Sequence, residues 1–314
     1  MSQTPAFDRP IELLPLFQEK VWGRQNLAPF FAGLSVKDPI GEVWFTFREN
    51  QTKSGESLGD LIKKHPKLLG NAFDPAHPDQ CPLLAKLLFT TERLSVQVHP
   101  RDDYAAKHHQ SLGKTEAWYV VSAEPEAEVA VGFKQPISAH RLEESARSGE
   151  IESLLDWRKI TAGDTIFVPA GTVHAIGAGA TICEIQQNSD ITYRLYDYGR
   201  PRELHLDHGV KVSDLGPHHY RVQPRPLSQR REELVVCEYF RIEKLTVSAS
   251  MTFPGAAPYY MLLTCIKGTG QIAGENFKAG TSWLVPAFSN PFSIHGPGSE
   301  WILSYTAAAP ASLY

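Results

Sequence analysis

Cysteine is scarce in this chain of 314 residues, and the few copies lie far apart. Cys81, Cys183, Cys237 and Cys265 form no CxxC pair, which argues against a metal site built from thiolates. Apolar residues make up 42% of the chain, enough for a core that needs no disulfide support. We therefore expect reduced thiols, as in a cytoplasmic protein.

Long apolar runs are also missing. No stretch approaches the roughly 18 consecutive apolar residues that indicate a membrane-spanning helix. The N-terminal segment MSQTPAFDRPIELLPLF lacks the basic region and the apolar run of a signal peptide. These features predict a cytoplasmic protein with no membrane partner.

An excess of positive charge is absent as well. The 31 Lys and Arg residues are balanced by 35 Asp and Glu residues, which gives a formal net charge of −4. A nucleic-acid-binding protein usually has an excess of positive charge, which this chain lacks, so we expect no nucleic-acid partner. It is compatible with an anionic small molecule, because local lysines and arginines bind such a ligand whatever the net charge.

Glycine and proline, with 23 residues each, interrupt the chain at short intervals. Short runs rich in β-branched and aromatic residues lie between them, a pattern that predicts a sandwich or a barrel. We therefore predict an all-β fold with minor helical insertions. The clearest predicted strands are residues 43–47, 94–98, 117–121, 165–168, 181–185, 261–266 and 282–285.

Helical signals are few and local. Ser57, followed by Asp60 three residues later, resembles the start of a capping box. Acidic residues after Pro100 suit the positive end of a second short helix. The predicted helical insertions are at about 57–70, 101–112 and 137–157.

An internal repeat indicates that the chain has two similar halves. Residues 162–170 (AGDTIFVPA) and 279–287 (AGTSWLVPA) align without gaps at an offset of 117 residues, with five of nine positions identical. After the shared proline only the first copy continues to a histidine, His174. We predict that the second copy keeps the fold and has lost the site.

The polar, proline-containing segment 218–231 is predicted to link these halves. The domains are then residues 1–217, which carry the candidate chemistry, and residues 232–314.

Four polar residues from three separate segments of the sequence could together form a metal site. Gln97 and His99 lie two residues apart in a strand-like run, so their side chains point to the same face. Glu116 begins the next predicted strand, and His174 follows a turn. Two imidazoles, a carboxylate and an amide oxygen would leave room for water or substrate, as a catalytic metal needs. Taken singly, each histidine is more often a hydrogen-bonded core residue than a metal ligand, so the prediction depends on the joint pattern.

The pattern around His174 resembles the second motif of the cupins. Gly163, Pro169, Gly171 and His174 match that motif in spacing. The first motif departs from it, because Gln97 replaces its first histidine and sixteen residues, Pro100 to Thr115, stand before the glutamate.

Several longer motifs resemble the type I phosphomannose isomerases, especially their short bacterial form. The resemblance runs from about Leu14 to His205 and is thin from Lys211 onward. Its motifs are KVWG, PLLAKLL, SVQVHP, LGKTEAWYVV, VPAGTVHAI and EIQQNSDITYRLYDYGRPRELH. It implies two jelly-roll cupin domains, the second degenerate, and interconversion of mannose 6-phosphate and fructose 6-phosphate. It also implies one Zn²⁺ per chain, with Gln97, His99, Glu116 and His174 as its ligands.

Three further residues are candidates for the chemistry. Moving a proton between C1 and C2 of an open-chain sugar builds up an enediolate, and Arg194 could stabilise it by bidentate donation to its two oxygens. Lys114 and Glu184 are candidate proton-transfer groups, with base and acid not assigned between them. The resemblance points at the same three. The alternatives are an Arg194 ion pair with Asp190 or Asp197, and ordinary surface charges for the other two.

Three residues are predicted to contact the substrate, which we expect to be a sugar phosphate. Lys86 is a cation flanked by leucines, and a snorkelling lysine is the alternative. Arg202 is a second candidate for the phosphate, and Ser95 shares the strand parity of Gln97 and His99. We expect a monomer.

Two other functions fit parts of the pattern. Two histidines and a carboxylate on a jelly roll can also hold iron in an oxygenase, which would consume oxygen. A non-catalytic sugar-binding cupin would bind the sugar phosphate without turnover. The Gln97 position and the long insert argue against the first, and the set of Arg194, Lys114 and Glu184 argues against the second.

Overall fold

The computed structural model describes residues 7–219, 222–307, 309–311 and 313, and most of its regular structure is antiparallel strand. The all-β architecture predicted from the sequence is confirmed. Strands in the first part of the chain are β1 Ile11–Leu13, β2 Leu16–Arg24, β3 Ile40–Trp44, β4 Leu83–Phe89, β5 Val96–Val98, β6 Glu116–Ala123, β7 Glu128–Phe133, β8 Leu155–Lys159, β9 Thr165–Val168, β10 His174–Ile176, β11 Ala180–Gln187 and β12 Tyr193–Tyr196.

Strands in the last third of the chain build a second set of sheets. They are β13 Arg225–Ser228, β14 Arg231–Val236, β15 Arg241–Val247, β16 Ser250–Phe253, β17 Met261–Lys267, β18 Thr269–Ile272, β19 Glu275–Lys278, β20 Ser282–Val285, β21 Phe292–His295 and β22 Ser299–Tyr305.

Helices occupy the insertions between strands. Ser57 caps the first helix by accepting a hydrogen bond from the Asp60 amide, as its sequence position predicts. None of the described helices has the length and apolar character needed to cross a bilayer. The helices are α1 Leu58–Lys64, α2 Asp102–His109, α3 Ala139–Ser148, α4 Ile151–Leu154 and α5 Leu206–Val212, with a short 3₁₀ turn at Pro66–Leu68.

Each half of the molecule is a sandwich of two sheets. The first pairs a six-stranded sheet, in the order β2-β3-β4-β11-β6-β9, with a five-stranded sheet, β12-β5-β10-β7-β8. The second pairs a seven-stranded sheet, β1-β20-β17-β22-β15-β14-β13, with a four-stranded sheet, β16-β21-β18-β19. Read from β9 and from β20, the two larger sheets have the same strand order.

The sequence repeat corresponds to β9 and β20, whose bounds differ by the same offset of 117 residues. Gly163 and Gly280 precede these strands at equivalent positions, with φ of +97° and +91°. Few residues other than glycine adopt this backbone conformation without strain. The shared glycine is therefore explained by a shared turn.

The six-stranded sheet is buried on both faces. One face packs against the seven-stranded sheet, with Val43, Leu87 and Ile185 in the same apolar cluster as Leu262 and Ile302. The other face looks into the first sandwich. There one end is apolar, while the other end carries the polar residues of the candidate site.

Strand pairing modifies the simple picture of two halves joined by a linker. Strand β1 belongs by sequence to the first half, but it pairs with β20, with Ile11 opposite Leu284. Within the segment predicted as linker, β13 pairs with β14. Proline is tolerated on an edge strand such as β13, so this short pairing is compatible with the segment's composition, and the linker stays a prediction. The domain boundaries themselves stay a prediction, and residues 1–6, 220, 221, 308, 312 and 314 lie outside the described residues.

Replacing Gly163 by alanine tests the shared turn. A Cβ at this position meets no atom within 4 Å, so the cost is that of the backbone conformation alone. We expect Gly163→Ala to lower the free energy of unfolding by about 1–2 kcal/mol, measured by urea denaturation. Gly216→Ala is the matched control, because Gly216 is equally open but lacks a positive φ. Equal stability of the two variants would contradict this explanation.

Candidate active site

Three of the four predicted metal ligands, His99, Glu116 and His174, come together between the sheets of the first sandwich. His174 opens β10 directly opposite Gln97 of β5, and His99 follows β5. Glu116 opens β6 on the facing sheet. The candidate ligand atoms of His99, Glu116 and His174 all lie within 4.8 Å of one another.

Backbone carbonyl groups orient both imidazoles. Nδ1 of His99 lies 2.8 Å from the carbonyl oxygen of Ile191, and Nδ1 of His174 lies 2.9 Å from that of Thr172. A carbonyl only accepts, so each Nδ1 carries the proton and each Nε2 presents a lone pair. The Nε2 atoms lie 3.4 Å and 3.3 Å from the two carboxylate oxygens of Glu116.

Buried polar atoms in this cluster lack hydrogen-bond partners. Nε2 of His99 and Oε2 of Glu116 make no hydrogen bond within the described chain, although each of these residues is only 1% exposed. Such unsatisfied atoms are rare in folded proteins and call for an explanation. A divalent cation between them would satisfy both. The cluster therefore fits a metal site, and the interpretation of these histidines as hydrogen-bonded core residues leaves the atoms unexplained.

Electrostatics prepare the same residues for a cation. Burial lowers the pKa of His99 well below its ordinary value, and burial also lowers the pKa of His174 although Glu116 opposes it. Burial acts to raise the pKa of Glu116, but Lys114 and His174 bring it below its ordinary value. Neutral imidazoles and an ionised carboxylate are the states in which these groups bind metal.

Gln97 lies beside the cluster, but its amide nitrogen faces the histidine. Nε2 of Gln97 is 3.2 Å from Nε2 of His174, and the hydroxyl of Ser95 donates to Oε1 of Gln97 at 3.2 Å. To offer its oxygen to a metal, the amide would have to turn over. Gln97 as a fourth ligand stays a prediction.

A cleft of about 240 Å³ opens beside the cluster and is lined by predicted site residues from both sheets. On the five-stranded sheet Arg194, Gln97 and His174 are neighbours in one row across three strands. On the six-stranded sheet the neighbouring row is Trp44, Lys86, Glu184 and Trp118. The lining includes Lys86, Ser95, Gln97, Lys114, Glu116, Glu184, Arg194 and Arg202.

Lys86 is not a snorkelling lysine. Its side chain is 4% exposed, and its ammonium lies 3.4 Å from Glu184 and 3.7 Å from Glu42. Glu184 also accepts a hydrogen bond from Nε1 of Trp118. Lys114 lies 3.4 Å from Glu116, on the metal side of the same wall.

Arg194 is not held in the ion pair that the sequence left open. The Asp197 carboxylate binds Arg202 in bidentate fashion, at 2.6 Å and 2.7 Å. Arg194 donates from Nη1 to the carbonyl of Glu203, while its Nε is buried without a hydrogen-bond partner in the described structure. Arg194 therefore keeps donors for a ligand, whereas two of the donors of Arg202 are already engaged.

Glu42 and Lys20 are cleft residues that the sequence analysis missed. The two Glu42 oxygens lie 3.8 Å from Lys20 and 3.7 Å from Lys86, and one of them accepts a 2.6 Å hydrogen bond from Trp44. Glu42 is a charged residue inside the apolar strand Ile40–Trp44, which is the kind of pattern that singled out Lys86. The same pattern could have identified Glu42 as a candidate site residue.

The second sandwich lacks this cluster within the described residues. The repeat aligns Val168 with Val285, and the cross-strand partners of these two residues are Glu116 and Met261. The position equivalent to His174 is Pro291. Tryptophan, tyrosine and leucine side chains fill the interior instead, including Trp283, Trp301 and Tyr305.

Two family models match the chain. Residues 11–141 match "Phosphomannose isomerase type I, catalytic domain", and residues 230–306 match "Mannose-6-phosphate isomerase, cupin domain". The match to a cupin domain agrees with the predicted jelly-roll fold.

Curated relatives match nearly the whole chain. The mannose-6-phosphate isomerase ManA of Bacillus subtilis is 36% identical over 94% of this chain and 98% of its own length. The mannose-6-phosphate isomerase of Streptococcus mutans is 35% identical over 84% and 86% of the two chains.

Solved structures agree with these matches. The mannose 6-phosphate isomerase from Bacillus subtilis superimposes with a TM-score of 0.86 at 32% identity, covering 94% of this chain and 99% of that one. Phosphomannose isomerase variants from Salmonella typhimurium share the fold, with a TM-score of 0.76 at 17% identity for one of them. The resemblance found in the sequence motifs is confirmed: this chain is an isomerase enzyme and belongs to the mannose-6-phosphate isomerase family, that is, the type I phosphomannose isomerases.

Proposed function

We propose that this chain interconverts mannose 6-phosphate and fructose 6-phosphate with one zinc ion held by His99, Glu116 and His174. The observation that carries the proposal is the pair of unsatisfied buried atoms on His99 and Glu116, at the wall of a cleft lined by lysines and an arginine. The names of the curated relatives support the substrate, which is anionic and suits these cations.

The donor set favours zinc over harder cations. Two imidazole nitrogens and one carboxylate oxygen suit zinc, and three protein ligands are typical of a catalytic site with an open position. Gln97 would be a fourth ligand after its amide turned over. A zinc ion in this place supplies Lewis acidity for the oxygens at C1 and C2 of the open-chain sugar.

The side chains around the cleft perform the proton transfer in this proposal. Removing a proton from the carbon next to the carbonyl produces an enediolate, with the negative charge on the former carbonyl oxygen and a hydroxyl beside it. Arg194 donates to this charge, since its guanidinium stays protonated and has free donors. Lys114 and Glu184 are the proton-transfer pair, because both line the cleft and both are buried.

Substrate contacts complete the proposal. Lys86 and Ser95 line the cleft and contact hydroxyl or phosphate groups of the sugar. Arg202 contributes a weaker contact because Asp197 already binds it. The comparisons support an isomerase rather than an oxygenase or a non-catalytic binding protein. The cytoplasmic location and the monomeric state stay predictions.

Metal removal tests the zinc site. We expect the purified protein to contain about one zinc per chain by elemental analysis, chelation to abolish isomerisation in a coupled assay, and added zinc to restore it. His99→Ala and His174→Ala should each lose the metal. His140→Ala is the control, because His140 is an exposed residue of α3. Full activity in metal-free protein would contradict the proposal.

Replacing Arg194 tests the stabilisation of the enediolate. We expect Arg194→Ala to lower kcat about 10²- to 10³-fold, as for the loss of one preorganised donor, while the zinc content stays unchanged. Arg194→Lys should recover little, since an ammonium cannot donate in bidentate fashion. Arg158→Ala removes an arginine of β8 that pairs with Asp156 and should have no effect. Wild-type kcat in Arg194→Ala would disprove this role.

The stability of the metal-free protein should depend on pH through His99. Burial holds the pKa of His99 well below 6.5, so below that pH the unfolded chain binds a proton that the folded chain does not. The free energy of unfolding should therefore fall as the pH drops from about 7 to about 5. His99→Gln should flatten this fall, whereas His140→Gln should not. An unchanged slope in His99→Gln would contradict this assignment.

A further inference from the structure

Glu42 forms the outer end of a buried row of charges on the six-stranded sheet. It lies in β3, and its strand neighbour Trp44 is directly opposite Lys86 of β4. The Glu42 side chain is 14% exposed, and its two oxygens face Lys20 and Lys86. The indole N–H of Trp44 donates to the oxygen that faces Lys86, at 2.6 Å, so the carboxylate has a fixed orientation.

Lys86 is surrounded on three sides. Its ammonium lies 3.7 Å from Glu42, 3.4 Å from Glu184 and 4.8 Å from the centre of the Trp44 ring. Both carboxylate distances exceed the 2.7–3.2 Å typical of a direct N–H···O hydrogen bond. The ammonium is therefore shared between two carboxylates and bound tightly by neither.

The charges of this group are fixed. Burial acts to raise the pKa of Glu42, but Lys86 and Lys20 bring it below its ordinary value. Burial acts to lower the pKa of Lys86, but Glu184 and Glu42 raise it above its ordinary value. Near neutral pH Glu42 is thus a carboxylate and Lys86 an ammonium, so the two side chains attract each other.

We propose that Glu42 is a positioning residue that holds Lys86 at the cleft wall and keeps it from closing onto Glu184. Without the Glu42 charge, the ammonium, which is already 3.4 Å from Glu184, would pair with that carboxylate alone and more closely, in a buried environment where such pairs are strong. Lys86 would then be lost to the sugar phosphate, and Glu184 would be occupied by the lysine. The proposal rests on the substrate contact of Lys86 and the role of Glu184 given under Proposed function.

Substitution of Glu42 measures this effect. Glu42→Gln keeps the shape and removes the charge, and we expect kcat/KM to fall about 10- to 100-fold, the range for loss of an outer partner of a functional group. If Lys86→Met mainly changes kcat, then Glu42→Gln should mainly change kcat as well, and likewise for KM. Glu42→Asp, which keeps the charge, should recover part of the loss. Zinc content and melting temperature are measured for every variant.

The double variant separates positioning from a merely structural role. If Glu42 acts through Lys86, then Glu42→Gln combined with Lys86→Met should be no slower than Lys86→Met alone. A residue that only supports the fold would give losses that multiply. Trp44→Phe, which removes the hydrogen bond that orients Glu42, should show a smaller loss that also disappears in the Lys86→Met background.

Glu300 provides a matched control. It lies on β22 of the second half, is 19% exposed and bridges Lys244 and Lys267 at 2.8 Å each. Glu300→Gln removes the same kind of charge from a similar bridge away from the cleft, and kcat/KM should not change.

The outcomes are distinguishable. Wild-type kinetics in Lys86→Met would disprove the substrate contact of Lys86 and the inference together. A damaged Lys86→Met with wild-type kinetics in Glu42→Gln, or losses that multiply in the double variant, would overturn the inference alone. Loss of zinc in Glu42→Gln, with activity restored by added zinc, would also overturn it.

Discussion

A carboxylate buried between two neutral imidazoles requires positive charge, and the first sandwich is organised around that requirement. Glu116 is almost fully buried, faces His99 and His174, and has Lys114 as its nearest protein cation. The lysine compensates the charge only in part, since one carboxylate oxygen still has no hydrogen-bond partner. A divalent ion bound between these side chains would supply the positive charge that is still missing. Beyond it, the row of Glu184, Lys86 and Glu42 continues the alternation of signs along the same sheet, so the charges that line the cleft are oriented by one another.

The second sandwich shows the same strand order without that requirement. Where the first copy has Glu116, the register places Met261, and Pro291 stands where the first has His174. With no buried charge to compensate, apolar and aromatic side chains fill the space between the sheets. The comparison indicates that the turn before β9 and β20 belongs to the fold, since both copies keep its glycine, whereas the fold does not require the buried polar residues of the first copy. The seven-stranded sheet of the second sandwich nevertheless packs against the first half, where it covers the outer face of the sheet that carries Glu116 and Lys86.

Local patterns in the sequence predicted the features that depend on local geometry. Strand parity placed Gln97 and His99 on one face, and the repeat located β9 and β20 with their bounds unchanged. The prediction that His99, Glu116 and His174 meet came from joint motif spacing and the family resemblance.

Features set by long-range pairing were missed. The Lys86–Glu42 contact and the pairing of β1 with β20 depend on which strands become neighbours, and no single sequence window records that. The amide orientation of Gln97 depends on Ser95 and His174 together and was equally hidden.

The pairing of β1 with β20 has a consequence for how this architecture can be divided. Residues 11–13 complete an edge of the sheet that residues 225–305 otherwise build, so cutting the chain near residue 220 would separate that edge strand from its sheet. Strand β20 would then present unpaired backbone groups, and the apolar face around Leu262 and Ile302 would lose its cover. Gene fusion or shuffling cannot exchange the second half as an independent module unless the N-terminal strand travels with it. A circular permutation that connects the end of β22 to the start of β1 and opens the chain near residue 220 would satisfy this constraint, because β1 would then directly follow the strands of the sheet that it completes.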